Sequence, residues 1–206
     1  MTFCPHNQYR KALSTSQMQE NVNTLLPLMR ARGWTDNAIS AMFGNWQSEC
    51  TINPNRPQIS GYPSNRTGGF GFAQWTPWGT KIGWYCDQHG IGYNTSDTNP
   101  MSAIEVQLDY HDYECRYGLQ GTGRKTWYSN KGYNYTWDGF LKSTDSPAEL
   151  ARAYYWEYER SAAADPGKRP SQAEQWYSYI TGITPKPVTP KSSSIVLFAY
   201  KAGVIG

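Results

Sequence analysis

The amino-acid sequence predicts a mainly α domain (α+β) with a small β or irregular element beside a cleft. Three observations carry this expectation. Ile39, Met42, Phe43 and Trp46 recur at i, i+3, i+4 and i+7, one face of a helix. Ser146-Pro147-Ala148-Glu149 combines an N-cap, a first-turn proline and a capping-box glutamate. Between the helical stretches lie glycine-rich aromatic segments, above all Gly69-Phe70-Gly71-Phe72-Ala73-Gln74-Trp75, which read as a short strand or turn.

Residues 1–14 read as an irregular lead-in. Thr15 or Ser16 can cap a first helix with Val22, Leu25, Leu26 and Met29 on one face, a kink at Pro27 and an end at Gly33. Thr35 and Asp36 open the second helix, whose C-terminal turn carries Glu49. Residues 51–68, rich in Asn, Pro, Ser and Gly, read as a surface loop. A helix is expected from Trp78 to His89, stopped by Gly90. Another begins at Asn99-Pro100, turns Ile104, Leu108, Tyr110 or His111, and Cys115 inward, and ends at Gly118. Residues 119–137 fit either a hairpin or a structured loop. The Ser146 helix continues through Leu150, Ala153 and Tyr154 to about Arg160, and a last helix runs from near Ser171 to Ile180. The domain thus spans residues 15–183, followed by a Pro/Ser/Thr linker over 184–194. Residues 195–206 form an apolar tail, read as the start of a further domain or a segment that docks on a partner.

A length of 206 residues suits one domain with a real core. The 9 Trp and 16 Tyr serve that core first, and a saccharide groove second, since their rings offer a flat apolar face with a polar edge. The net charge of +3 is small and the Lys and Arg residues are scattered, which argues against nucleic acid as a partner. No apolar run is long enough to span a membrane, and the N-terminus shows no basic-then-apolar signal segment. Cys4, Cys50, Cys86 and Cys115 match no zinc spacing, and His6, His89 and His111 are dispersed, so no metal or cofactor is expected. Buried free thiols are the expected state of the cysteines; Cys86 with Cys115 is the favoured pair should any bridge form.

The chemistry-bearing feature is Gly44-Asn45-Trp46-Gln47-Ser48-Glu49, followed by the aromatic turn. A carboxylic acid against aromatic surface loses hydration and holds its proton to higher pH. The negative end of the helix dipole acts in the same direction. Glu49 is therefore the candidate general acid. An ordinary solvated helix-end carboxylate is the plain alternative.

With these residues in place, the chain resembles the phage tail-associated lysozyme family of the lysozyme-like superfamily over roughly residues 20–180. Four motifs carry the likeness in order: Gly44, Asn45 and Glu49 with Asn53-Pro54; Gly69 to Trp75; the Gln107-centred helix Ile104-Glu105-Val106-Gln107-Leu108; and Tyr158-Glu159-Arg160 with Arg169, Ala173 and Tyr177. Cys50 stands where the family commonly has Ser, which leaves the acid untouched. The resemblance implies a lysozyme-like fold and cleavage of β-1,4 linkages in the glycan strands of bacterial peptidoglycan, with Glu49 as acid. It further implies Gln74 as a contact to a substrate N-acetyl group or water, and Trp75, Phe70 and Phe72 as an aromatic wall. It places the protein on a virion tail beside other tail proteins, made in the host cytoplasm without a signal peptide and acting on the host wall.

Many glycosidases use two carboxylates. Asp36 belongs at the far end of the Glu49 helix. Asp87, Glu105, Asp109, Asp112 and Glu159 remain open for the second role. For Glu159 and Arg160 the preferred reading is structural, an ion pair or solvated helix end. Two other function classes stand beside the glycosidase: a Cys50 nucleophile paired with His89 or His111, as in cell-wall amidases and peptidases, and a non-catalytic glycan-binding or structural tail domain on the same scaffold.

Overall fold

A computed structural model describes residues 1–121, 126–127, 131–160 and 165–182. The linker expected over 184–194 and the apolar tail over 195–206 lie outside the described residues. Among the described residues there are seven α-helices: α1 Thr15–Ala31, α2 Asp36–Cys50, α3 Ile82–Gln88, α4 Ile104–Tyr117, α5 Trp137–Leu141, α6 Pro147–Tyr154 and α7 Arg169–Thr181. The β contribution among them is a single isolated bridge between Pro57 and Phe70. The fold is mainly α, with its irregular element where the aromatic turn was expected.

Local signals set most helix ends. Ser14, one residue before the expected cap, closes a capping box with Gln17 at the start of α1. Thr35 accepts from the Ala38 amide at the start of α2, and Ser146 from the Glu149 amide at the start of α6. Three expected helices are interrupted. The Trp78 stretch begins as a 3-10 turn, Trp78–Thr80, and restarts as α3 after Lys81. The Asn99 stretch forms Pro100–Ser102, breaks at extended Ala103 and restarts as α4. After Tyr154 the chain widens into a π-helical turn, Tyr155–Glu159, closed by the Arg160 amide on the Tyr155 carbonyl at 2.9 Å.

α2 is the central helix, with every residue from Ala38 to Trp46 buried. It packs chiefly on α7 and α6. A Cβ on Gly44 would stand 2.6 Å from the Arg169 carbonyl oxygen and 2.7 Å from the Ala173 amide nitrogen. Glycine there lets the first turn of α7 lie against the α2 backbone. The main core gathers Val22, Leu25, Phe43, Trp46, Phe140 and Tyr154 among others. A second core is built from Tyr62, Phe70, Trp75, Trp78, Ile82 and Tyr110 with their neighbours. α4 serves both, sending Leu108 and Cys115 to the first and Val106 and Tyr110 to the second.

The 51–68 segment is not the solvated loop its composition suggests. Asn53 and Asn55 are fully buried. Asn53 Nδ2 donates to the Gln8 and Lys11 carbonyls at 2.8 and 2.7 Å. Asn55 Nδ2 donates to the Asn7 and Ser96 carbonyls at 3.0 and 2.8 Å. The asparagines close the irregular backbone in place of ladder hydrogen bonds, which ties the lead-in to the body of the domain. All four cysteines are free and buried. Cys86 and Cys115 lie in different cores, so the pair favoured from sequence is not formed.

Gly44→Ala should lower stability by about 2 kcal/mol, because the added methyl meets α7 backbone that cannot rotate away. Urea unfolding checks this; an unchanged midpoint would mean the α2–α7 approach is not close.

Candidate active site

The Schellman-like end of α2 sets the position of Glu49. Thr51 takes a left-handed conformation (φ 55°), with its amide on the Gln47 carbonyl at 3.1 Å. Two residues earlier, the Glu49 carboxyl lines a pocket of about 340 Å³ lined also by Gln74, Trp75, Lys81, Glu114, Tyr158, Glu159 and Arg160. The sequence-predicted residues Glu49, Gln74 and Trp75 are thus brought together. Phe70 and Phe72 are not with them. Phe72 stacks on Trp46 in the main core at 4.6 Å and Phe70 on Tyr62 in the second at 5.0 Å, both fully buried. They anchor the turn from behind and have no face open to the pocket.

The turn is held by α4. Gln107 Oε1 accepts from the Phe72 amide at 2.9 Å, and its Nε2 donates to the Pro54 and Met101 carbonyls at 2.7 and 3.2 Å. Gly71 (φ 80°) leaves the space Gln107 needs, since a Cβ there would stand 2.7 Å from Oε1. Gln74, itself left-handed (φ 46°), commits its Nε2 to the Arg56 and Gly71 carbonyls, both at 2.9 Å. Its amide nitrogen therefore shapes the turn.

Three carboxyls reach the pocket. Glu49 is 26% exposed at its side chain and pairs through Oε1 with Arg169 Nη2. Glu159, 8% exposed, meets Nε of the same guanidinium at 3.1 Å. Arg169 in turn lies over the Tyr155 ring at 4.9 Å. Burial first, and the Glu49 charge second, push the Glu159 carboxyl up to about 8. Glu114 is fully buried, and its Oε1 accepts from the Trp75 indole at 2.5 Å and from the Tyr158 hydroxyl. Burial raises Glu114 above the ordinary carboxyl range. The dehydration expected at Glu49 is thus far more complete at its neighbours.

Other carboxyls considered from sequence are engaged elsewhere. Asp36 pairs with Arg30 at 2.8 Å, Asp87 with Arg66 at 2.8 Å, Asp109 with Arg32 at 2.6 Å and Asp112 with Arg116 at 2.7 Å. Glu105 accepts from the Thr2 amide at 2.9 Å. Of that set Glu159 alone lines the pocket. Sequence reasoning missed Glu114 and Lys81. A signal for Glu114 existed: it lies three residues after His111 and seven after Gln107, on the buried stripe of α4.

The thiol arrangement does not form around Cys50. Its sulfur donates to the Trp46 and Phe72 carbonyls at 3.3 and 3.4 Å, and burial pushes the thiol up to about 12, away from a reactive thiolate. His111 is buried, pushed down to about 4, and faces the Tyr154 hydroxyl at 2.6 Å and Cys115 at 3.5 Å. His89 caps α3 and contacts the Tyr85 carbonyl at 2.8 Å. Among the described residues no group of three or more His, Cys, Asp and Glu is placed to hold a metal ion, and no helix is long and apolar enough to cross a membrane.

A family model described as phage tail lysozyme matches residues 20–180, and the chain belongs to that family. Morphogenesis protein 1 of Bacillus phage B103 is 34% identical over 180 residues, covering 87% of this chain and 44% of its own length. The chain therefore spans less than half the length of this curated relative.

The raised carboxyls carry a stability consequence. A carboxyl that holds its proton more tightly folded than unfolded contributes stability below its unfolded value, and that contribution is lost as pH rises through the folded one. For Glu159 the window runs from the ordinary carboxyl value of 4.5 to about 8. Urea unfolding should show stability falling between pH 5 and 8, and Glu159→Gln should flatten the slope by about 1 kcal/mol per pH unit. An identical slope in both proteins would refute the assignment.

Proposed function

We propose that the protein is a glycoside hydrolase of bacterial peptidoglycan, with Glu49 as general acid, carried on a virion tail to open the wall at cell entry. The single observation that supports this best is the convergence of the Glu49 carboxyl, the Gln74–Trp75 turn and two buried acids on one pocket. The family match and the morphogenesis relative support the phage setting.

On this reading a β-1,4-linked strand of N-acetylated amino sugars lies across the pocket with its glycosidic oxygen against Glu49. The Glu49 proton passes to that oxygen as the C1–O bond breaks, and positive charge spreads over the ring oxygen and C1 of the sugar left behind. Water then adds at C1, and the proton it releases returns to the carboxylate that gave one up, completing hydrolysis and restoring the acid. The Trp75 indole edge, fixed on Glu114 and Tyr158, gives the pocket wall its rigidity. Partial enclosure of the acid beside fixed dipoles strengthens their effect on the developing charge.

Purified peptidoglycan digested by the protein should yield fragments with new reducing ends by mass spectrometry. Muramic acid at the new end marks a muramidase, glucosamine a glucosaminidase, and fragments one water lighter a transglycosylase. Glu49→Gln should cut the rate by roughly a thousandfold. Undiminished cleavage by that variant, or free amino groups without new reducing ends, would sink the proposal.

A further inference from the structure

One guanidinium serves two carboxyls at the pocket. Arg169 Nη2 pairs with Glu49 Oε1 and Arg169 Nε lies 3.1 Å from Glu159 Oε2. Glu159 is the more deeply enclosed, 8% exposed at its side chain against 26% for Glu49. Two ionised carboxyls on one arginine leave a net negative charge, half of it on the enclosed Glu159. One proton on the pair makes the cluster neutral. Among the described residues, Arg169 is the cation paired with Glu159. From α2 Glu159 meets Glu49, from α7 Arg169, and from α6 the electrostatic neighbour Tyr154, a neutral phenol. Lys81, Glu114 and Arg160 share the pocket.

We propose that Glu49 and Glu159 hold a single proton between them across Arg169, and that Glu159 is the positioning residue that keeps this proton available to Glu49. The inference rests on the reading of Glu49 as the acid. At rest the proton sits on the more buried Glu159 and Arg169 bonds the Glu49 carboxylate. With substrate in place the proton passes from a Glu159 oxygen to Glu49, and the guanidinium shifts its bond to the newly ionised Glu159. The cluster's net charge does not change. The proton then goes to the glycosidic oxygen as its bond to C1 breaks, and the proton released by the attacking water restores the starting state. The burial that pushes Glu159 up to about 8 agrees with this resting state.

The test is the pH dependence of kcat/KM on purified peptidoglycan for the parent, Glu159→Gln, Arg169→Lys and Glu49→Gln, with the folded state of each checked by circular dichroism. The parent should lose activity as pH rises through about 8, where the pair surrenders its proton. Glu159→Gln removes the reservoir. Its alkaline limb should move down by at least about one pH unit, so that activity falls at least about threefold at pH 7.5 but only slightly at pH 5. Arg169→Lys keeps the charge and should keep the limb. A uniform loss across the pH range in Glu159→Gln, or an unmoved limb, overturns the proton-holding role while the Glu49 reading stands. Full activity in Glu49→Gln overturns that reading itself. Independently of any variant's folding, carboxyl carbon NMR of the parent should show Glu159 titrating near neutrality or above; a Glu159 that titrates at the value of a free carboxyl overturns the proposal.

Discussion

The close approach of α7 to α2 governs the rest of the site. Gly44 presents no side chain, so the carbonyl of Arg169 and the amide of Ala173 sit where a methyl would be. Arg169 is the first residue of α7 and Glu49 lies in the last turn of α2. Five residues separate Gly44 from Glu49, about 7.5 Å of helix rise. The long Arg169 side chain spans that interval back to the carboxyl. A bulkier residue at position 44 would move α7 outward, and the arginine would reach neither Glu49 nor Glu159. Packing inside the core thus fixes the electrostatics at its edge.

The opposite wall depends on a different constraint, the need of irregular backbone for hydrogen-bond partners. The segment from Asn53 to Trp75 makes only one β bridge among the described residues, so side chains close it. Gln107 does this from α4, with its amide facing the Phe72 N–H, Pro54 and Met101. Asn99 adds a bond from its Nδ2 to Asn55 Oδ1 at 3.1 Å and another to the Tyr62 hydroxyl at 2.9 Å. Phe72 and Phe70 then pin the turn into the two cores. The pocket is a seam between these two systems, one helical and tightly packed, the other irregular and closed by amides.

What the sequence made legible follows from the range of the forces involved. Caps and apolar periods act over three to seven residues, and they located α1, α2, α6 and α7 well. The 3-10 turns before α3 and α4 were missed because their helical composition continues across the breaks at Lys81 and Ala103. The 51–68 segment misled because Asn is polar in any composition count, yet a buried Asn satisfies backbone at no charge cost. Phe70 and Phe72 enter the expected wall through the family resemblance, which carries motif positions and not the direction in which a ring points. Here the turn at Gly71 (φ 80°) sends the two rings to separate cores. Glu159 and Arg160 read from sequence as a structural ion pair or solvated helix end, and in the structure Glu159 pairs with Arg169 at the start of α7. The π turn and the left-handed Arg160 (φ 50°) alter the register of Glu159 and Arg160.

Glu114 shows how a buried acid can organise such a site. Its Oε1 receives two donors, the Trp75 indole and the Tyr158 hydroxyl, while Oε2 is buried. Burial outweighs the lowering influence of those donors and of Lys81. Lys81 is pressed the other way by burial, toward its neutral form, with Glu114 opposing. Both neighbours are thus drawn toward the uncharged state by the same exclusion of water. Ionisation of Glu114 would add a negative charge to the pocket that Glu49 and Glu159 line, and burial opposes that ionisation.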